Sequence, residues 1–105
     1  MVFIETPIFT KRVQQLLPDT HYTKLQQAIL QQPDIGSIIP RSGGIRKLRW
    51  RLPDGGKRGG LRVVYYWDTP DDVIYMLLVY KKNKQEDLTP NQLKALRGVM
   101  EDYLK

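Results

Sequence analysis

The chain has 105 residues, of which 41% are hydrophobic, and its 17 basic and 11 acidic residues give a formal net charge of +6. This length suits one domain over residues 1–105, and the apolar content argues against intrinsic disorder. No apolar run reaches the roughly 18 residues that a membrane span needs, the N-terminus lacks a secretory pattern, and no cysteine is present, so we expect a cytoplasmic protein without membrane association.

Two helices are predicted in the first third of the chain. Residues 2–5 (VFIE) are short and apolar and predict a first strand. Thr6-Pro7 then provides an N-cap and a proline at the first helical position, and apolar residues at helical spacing extend the helix to about Leu17. Pro18-Asp19 is expected to end this helix and cap a second one, which ends at 31–33 (QQP). The two helices are expected to form a hairpin that covers one face of a sheet.

Three consecutive strands are predicted in the middle of the chain. Residues 45–52 (IRKLRWRL) alternate between apolar and basic side chains, as a half-buried strand does. Residues 53–60 (PDGGKRGG) have the composition of a turn, and 61–67 and 73–80 are rich in β-branched and aromatic residues. Strands joined by such short turns predict an antiparallel meander.

A closing helix is predicted after the strands. Thr89 and Gln92 have the spacing of a capping box, and apolar residues follow at intervals of three and four. The predicted fold class is α+β: an N-terminal helical hairpin packed on a small, mainly antiparallel, twisted β-sheet, with a C-terminal helix.

The positive charge is concentrated in one segment. From Arg41 to Arg62 there are eight basic residues and one acid, Asp54, which gives +7, whereas the rest of the chain sums to −1. Six of the eight are arginines, whose planar guanidinium suits phosphate. This segment therefore indicates a polyanionic partner, although a solvated basic strand that resists aggregation has the same composition.

The cations of this segment fall on one side of a predicted strand. Lys47, Arg49 and Arg51 alternate, which places them about 7 Å apart on one face, a spacing comparable to that of backbone phosphates. Arg62 lies in an otherwise apolar strand and needs either a buried acid or a cleft shared with Lys47 and Arg49. Few acids are close in sequence, which favours the cleft.

Residues 55–60 (GGKRGG) are predicted to form a charged turn. They lack the spacing of a Walker loop and no helix follows them, so Lys57 and Arg58 are expected to assist phosphate binding by charge alone. Tyr66 shares a strand face with Arg62 and is the preferred aromatic for stacking on a base, whereas most strand aromatics are expected in the core. The predicted RNA- or ribosome-binding residues are Arg46, Arg51, Lys57, Arg58, Tyr66, Lys81 and Lys84.

Groups for acid–base chemistry are few. His21, the one histidine, is far in sequence from the cationic strands and is expected at the surface. The acids within 68–72 match no metal-binding pattern, so no metal and no cofactor are expected. Any general base is therefore Glu86 or Asp87, a lysine of lowered pKa, or absent from this chain.

Three segments, in this order after the helical hairpin, carry a resemblance to a known family. They are GGIRKLRWRL (43–52), GKRGGLRVVYYW (56–67) and LLVYKKNKQEDLT (77–89). Over nearly its whole length the chain resembles the RelE/HigB superfamily of bacterial toxins, and within it the HigB-like branch of type II toxin–antitoxin modules. The resemblance implies a ribosome-dependent mRNA endoribonuclease (an mRNA interferase) that inhibits translation by cutting mRNA in the ribosomal A site. It also implies attack by the RNA 2′-OH on the adjacent phosphate without a metal.

The resemblance assigns the catalytic residues by position: four cations that stabilise the charge developing on the phosphate and assist proton transfer, and one acid. Lys47 and Arg49 match the paired basic residues of the second strand, Arg62 the arginine that opens the next strand, and Lys82 the basic residue that ends the following one. Many relatives carry a tyrosine or histidine near the C-terminus where this chain reads EDL (86–88), so Asp87 is the substitute expected in proton transfer. The implied partners are the ribosome with its mRNA and a HigA-like antitoxin with a helix-turn-helix domain.

Two other functions fit parts of the sequence. ParE-like toxins share the fold but poison DNA gyrase, and they do not need the aligned cations, whose presence favours RNA. A non-catalytic RNA- or ribosome-binding module needs the cations but no chemistry.

Overall fold

The structure is a computed structural model that describes residues 1–52, 60–85 and 87–105. The helices and strands within them are β1 (Val2–Glu5), α1 (Pro7–Leu16), α2 (Asp19–Gln31), β2 (Ser37–Ile38), β3 (Arg46–Trp50), β4 (Leu61–Asp68), β5 (Val73–Lys81) and α3 (Pro90–Tyr103). The strands form one sheet in the order β1-β5-β4-β3-β2, in which β1 runs parallel to β5 and the other pairs are antiparallel. The predicted α+β class is confirmed.

The start of α1 agrees with the sequence. The Thr6 hydroxyl accepts a hydrogen bond from the backbone N–H of Phe9 (3.1 Å) and donates one to the carbonyl of Leu77 (2.8 Å). The start of α2 differs, because Pro18 holds the cap position without a side-chain hydrogen bond and Asp19 is the first helical residue. Asp19 therefore places its charge in the first turn, where the helix dipole favours an anion, instead of capping the helix.

The helices cover the two faces of the sheet. The α1–α2 hairpin packs on one face, here called the hairpin face, and shares a core with Leu48 and Val63. The buried side chains that the hairpin contributes to this core are Phe9, Val13, Leu17, Leu25 and Ile29. Helix α3 packs on the opposite face, here called the α3 face, where Leu96 and Met100 meet Ile45 and Val64. The predicted cover of one face by a helical hairpin is confirmed.

The sheet differs from the sequence prediction in two places. Strand β3 ends at Trp50 instead of residue 52, and the two-residue strand β2 is too short for an alternating pattern to reveal it. Gly60, just before β4, has a φ of 66°, and an added Cβ would lie 2.3 Å from the Trp50 carbonyl oxygen, so this position requires glycine. The described residues include no helix long and apolar enough to cross a bilayer.

Candidate active site

Three predicted cations meet on the α3 face near one end of the sheet. Arg49 on β3 is the register partner of Arg62 on β4, and Lys47 pairs with Val64. Residues that pair in an antiparallel ladder point to the same face with Cα atoms about 4.5–5.5 Å apart. Lys47, Arg49 and Arg62 therefore form one group, here called the cationic cluster.

Arg62 is the buried member of the cationic cluster. Its residue is 2% exposed, and its Nη1 donates a hydrogen bond to the Leu61 carbonyl (3.3 Å). Its register partners are Arg49 on one side and Tyr80 of β5 on the other. The buried guanidinium of Arg62 thus belongs to the strand position directly beside the more exposed Arg49.

Asp87 brings a negative charge to the cationic cluster. It lies in the loop before α3, and its carboxylate forms an ion pair with the Lys47 ammonium. This hydrogen bond and the charge of Lys47 lower the pKa of Asp87, and the charges of Arg62 and Arg49 lower it further. All three cations therefore act on one carboxylate, which shows that the cluster favours an anion at this place.

Lys82 lies at the same end of the sheet. It is half-buried in the turn after β5, and its backbone N–H donates to the carbonyl of Gly60 (3.1 Å), directly before β4. This bond ties the end of β5 to the beginning of β4, two residues from Arg62. The structure thus brings the predicted catalytic residues to one end of the sheet.

Arg46 is placed away from the cationic cluster. It alternates with Lys47 and pairs with Tyr65, which belongs to the core of the hairpin face. Its Nη1 donates to the carbonyl oxygens of Gly36 (2.7 Å) and Asp34 (3.4 Å). Arg46 therefore supports the loop before β2 and is not grouped with the predicted catalytic residues.

The other predicted binding cations have different positions. Arg51 is exposed immediately after β3, and Lys81 and Lys84 are exposed at and after the end of β5. Lys57 and Arg58 lie outside the described residues. His21 is half-exposed on α2. In the described ranges, no three acidic or histidine side chains lie together as they would around a metal ion.

The aromatic neighbour of the cluster is Tyr80, and not Tyr66. Tyr66 shares the α3 face but lies four residues, about 13 Å, along β4 from Arg62. It lines a groove of about 480 Å³ with the C-terminal part of α3, including Met100. Tyr80 is the register partner of Arg62 and is 3% exposed. The pairing register of β4 with β5 includes a bulge between Val64 and Tyr65, which the sequence pattern does not reveal.

The fold has a known counterpart, although no protein-family model matches the sequence. It is similar to the solved structure of a mutant of the E. coli toxin RelE in the free state, with a TM-score of 0.61 and 16% sequence identity. The alignment covers 94% of this chain and 95% of that one. The chain therefore has a RelE-like fold.

Proposed function

We propose that this protein is a RelE-type toxin of the HigB-like branch that acts as a ribosome-dependent mRNA endoribonuclease. The observation that carries the proposal is the pairing of Arg49 with Arg62 beside Lys47, on one face of a RelE-like sheet. Three cations from two strands around one anion-favouring position suit a phosphodiester that gains negative charge during cleavage.

The reaction is an attack by the ribose 2′-OH on the adjacent phosphate. The O2′–P bond forms, the P–O5′ bond breaks, and the products are a 2′,3′-cyclic phosphate and a 5′-hydroxyl. Arg49 and Arg62 stabilise the phosphorane between these states. Because Arg62 is buried, its charge is held in place without reorganising solvent, and this makes it effective in the transition state.

Asp87 and Lys47 are proposed to move the protons. The lowered pKa of Asp87 keeps its carboxylate ionised near neutral pH, so that it can accept the 2′-OH proton. A phosphate arriving at Lys47 competes for the ammonium, which loosens the ion pair and raises the basicity of Asp87. Lys47 then donates a proton to the departing 5′ oxygen. Lys82, at the same end of the sheet, is proposed to bind an adjoining phosphate.

The proposed partners follow from the toxin assignment. The substrate is mRNA in the ribosomal A site, and a HigA-like antitoxin with a helix-turn-helix domain neutralises the toxin in the cytoplasm. Neither a metal nor a cofactor takes part in the proposed reaction.

Primer extension on a defined mRNA, with and without translating ribosomes, tests the proposal. We expect breaks within codons only when purified protein and ribosomes are both present, and no breaks with Lys82→Ala or Arg62→Lys at normal thermal stability. Inhibition of DNA gyrase without RNA breaks would instead support a ParE-like toxin. Ribosome binding without breaks would support a non-catalytic module.

A further inference from the structure

A second concave surface lies beside the end of β5, between α1 and the turn that follows β5. This groove has a volume of about 560 Å³. Its basic residues are Lys11 and Arg12 from α1 together with Lys81 and Lys84. Ile8, Leu16 and Tyr80 provide apolar surface, so the groove offers both charge and contact area.

The groove has the charge of an anion-binding surface. Every charged residue that lines it in the described part of the chain is a cation, and all four of these cations are exposed. Helix α1 contains no acid, and within the described parts of the chain none of the four takes part in an ion pair. Four like charges that have no acidic partner among the described residues favour an anionic ligand at this surface.

Tyr80 connects the groove to the cationic cluster. It lines the groove, and it is the register partner of Arg62, which in turn pairs with Arg49. Neighbouring strands lie about 4.8 Å apart, so these three residues span about 10 Å across β3, β4 and β5. A polyanion that lies over the cluster on the α3 face therefore reaches the groove by continuing across Tyr80 and past the edge of β5, where α1 lies.

We propose that this groove binds the RNA backbone on one side of the scissile linkage, and that Lys11 and Arg12 hold its phosphates. The inference rests on the proposed function, because it extends the RNA-binding surface from the cluster across Tyr80 to α1. The groove volume lies within the range of about 300–1,000 Å³ found for ligand sites, enough for a short backbone segment. An acidic protein segment has the same charge, but it does not explain the continuity with the cluster.

Binding of non-cleavable 2′-O-methyl RNA, measured by fluorescence anisotropy at several salt concentrations, tests the inference. The groove variant is Lys11→Gln with Arg12→Gln, and the matched control is Lys24→Gln with Lys94→Gln, which removes two exposed helix cations outside the groove. One oligonucleotide covers only the cluster, and a longer one also reaches the groove. Circular dichroism checks that both variants fold.

We expect the groove variant to bind the short RNA like the wild type and the long RNA about tenfold more weakly. Losing two phosphate contacts lowers the magnitude of the salt slope by about 1.4, since each contact to a single strand contributes about 0.7. The control keeps the slope of the wild type. Lys84→Gln, on the other wall of the groove, is expected to lower the long-RNA slope by about half as much.

Unchanged affinity and salt slope of the groove variant for long RNA would overturn the inference. Unchanged RNA binding together with lost binding of poly-glutamate would also overturn it, in favour of an acidic protein partner. If the wild type cleaves ribosome-bound mRNA but gains no affinity from RNA length, only the groove assignment fails. If it neither binds short RNA nor cleaves mRNA, the proposed function fails as well.

Discussion

The surroundings of two carboxyl groups, Asp68 and Asp87, shift their pKa values in opposite directions. Those of Asp68 disfavour its ionised form. Asp68 is 6% exposed at the end of β4, and in the described parts of the structure its Oδ2 has no hydrogen-bond partner. Burial raises the pKa of Asp68, and the charge of nearby Asp71 raises it further. The folded state therefore binds the Asp68 proton more tightly than the unfolded chain does, so ionisation of Asp68 at neutral pH opposes folding.

We predict that Asp68→Asn raises the melting temperature at pH 7 and has a smaller effect near pH 4. The unfolded carboxyl titrates at about 3.9, so the cost of ionising Asp68 is absent below this pH and grows above it. Thermal unfolding followed by circular dichroism at both pH values measures the difference. Asp102→Asn, at an exposed position, is the control. A lower melting temperature of Asp68→Asn at pH 7 would contradict this account.

Asp87 has the opposite environment, because its pKa is lowered by Lys47. We predict that Asp87→Asn lowers the single-turnover rate of mRNA cleavage by roughly 10²-fold or more, in the range of a lost general base. It also removes the loss of rate that the wild type shows as falling pH protonates the Asp87 carboxylate. Because the pKa of Asp87 is lowered in the folded state, its ion pair with Lys47 stabilises the fold above about pH 4. This stabilisation is lost as the pH falls below that value. A wild-type rate for Asp87→Asn would exclude Asp87 as the base.

Among the elements, α3 determines where Asp87 lies. Its N-terminus is a capping box, in which Thr89 Oγ1 accepts from the Gln92 N–H (3.1 Å) and Gln92 Oε1 accepts from the Thr89 N–H (2.9 Å). Gln85 also donates to Gln92 Oε1 (2.9 Å), which fastens the preceding loop to the helix. Gln92 thus bonds to Gln85 before Asp87 and to Thr89 after it.

We predict that Thr89→Ala lowers the free energy of unfolding by about 1 kcal/mol, the usual cost of losing an N-cap hydroxyl. Thr89→Ser keeps the hydroxyl and is expected to lose much less. Urea unfolding of both variants measures the difference. Equal stabilities of the alanine and serine variants would show that the cap contributes nothing here.

Local signals explain which elements could be predicted from the sequence. Thr6-Pro7 and the Thr89–Gln92 box mark helix starts by side-chain chemistry that does not depend on the rest of the fold, and both predictions are confirmed. The β2 pairing of Ser37 with Lys47 has no local signal, because two residues cannot show alternation. The parallel pairing of β1 with β5 depends on tertiary packing and was not predicted.

The candidate site was predictable only in part. Alternation along β3 placed Lys47 and Arg49 on one face, and the structure has this arrangement. The same alternation puts Arg46 on the hairpin face, although its charge had suggested RNA binding. Tyr80 meets Arg62 through a register that includes a bulge, so its position required the structure.

At the scale of the whole molecule, the cationic cluster and the basic groove lie at the same end of the sheet. The sheet carries α1 and α2 on one face and α3 on the other, and the cationic cluster lies on the α3 face near the end where β4 begins. The groove beside α1 adds four more cations next to Tyr80. Basic side chains thus lie on β3 and β4, at the end of β5 and on α1, and together they favour a polyanionic partner at this end of the sheet.

The most direct test compares two arginines of the same strand that point to opposite faces. Single-turnover cleavage of ribosome-bound mRNA is measured for Arg49→Ala and Arg46→Ala, with folding checked by circular dichroism. Arg49→Ala is predicted to lower the rate by roughly 10²–10³-fold, as when one transition-state donor is lost, while Arg46→Ala stays close to the wild type. Equal rates for the two folded variants would contradict cleavage at the α3 face.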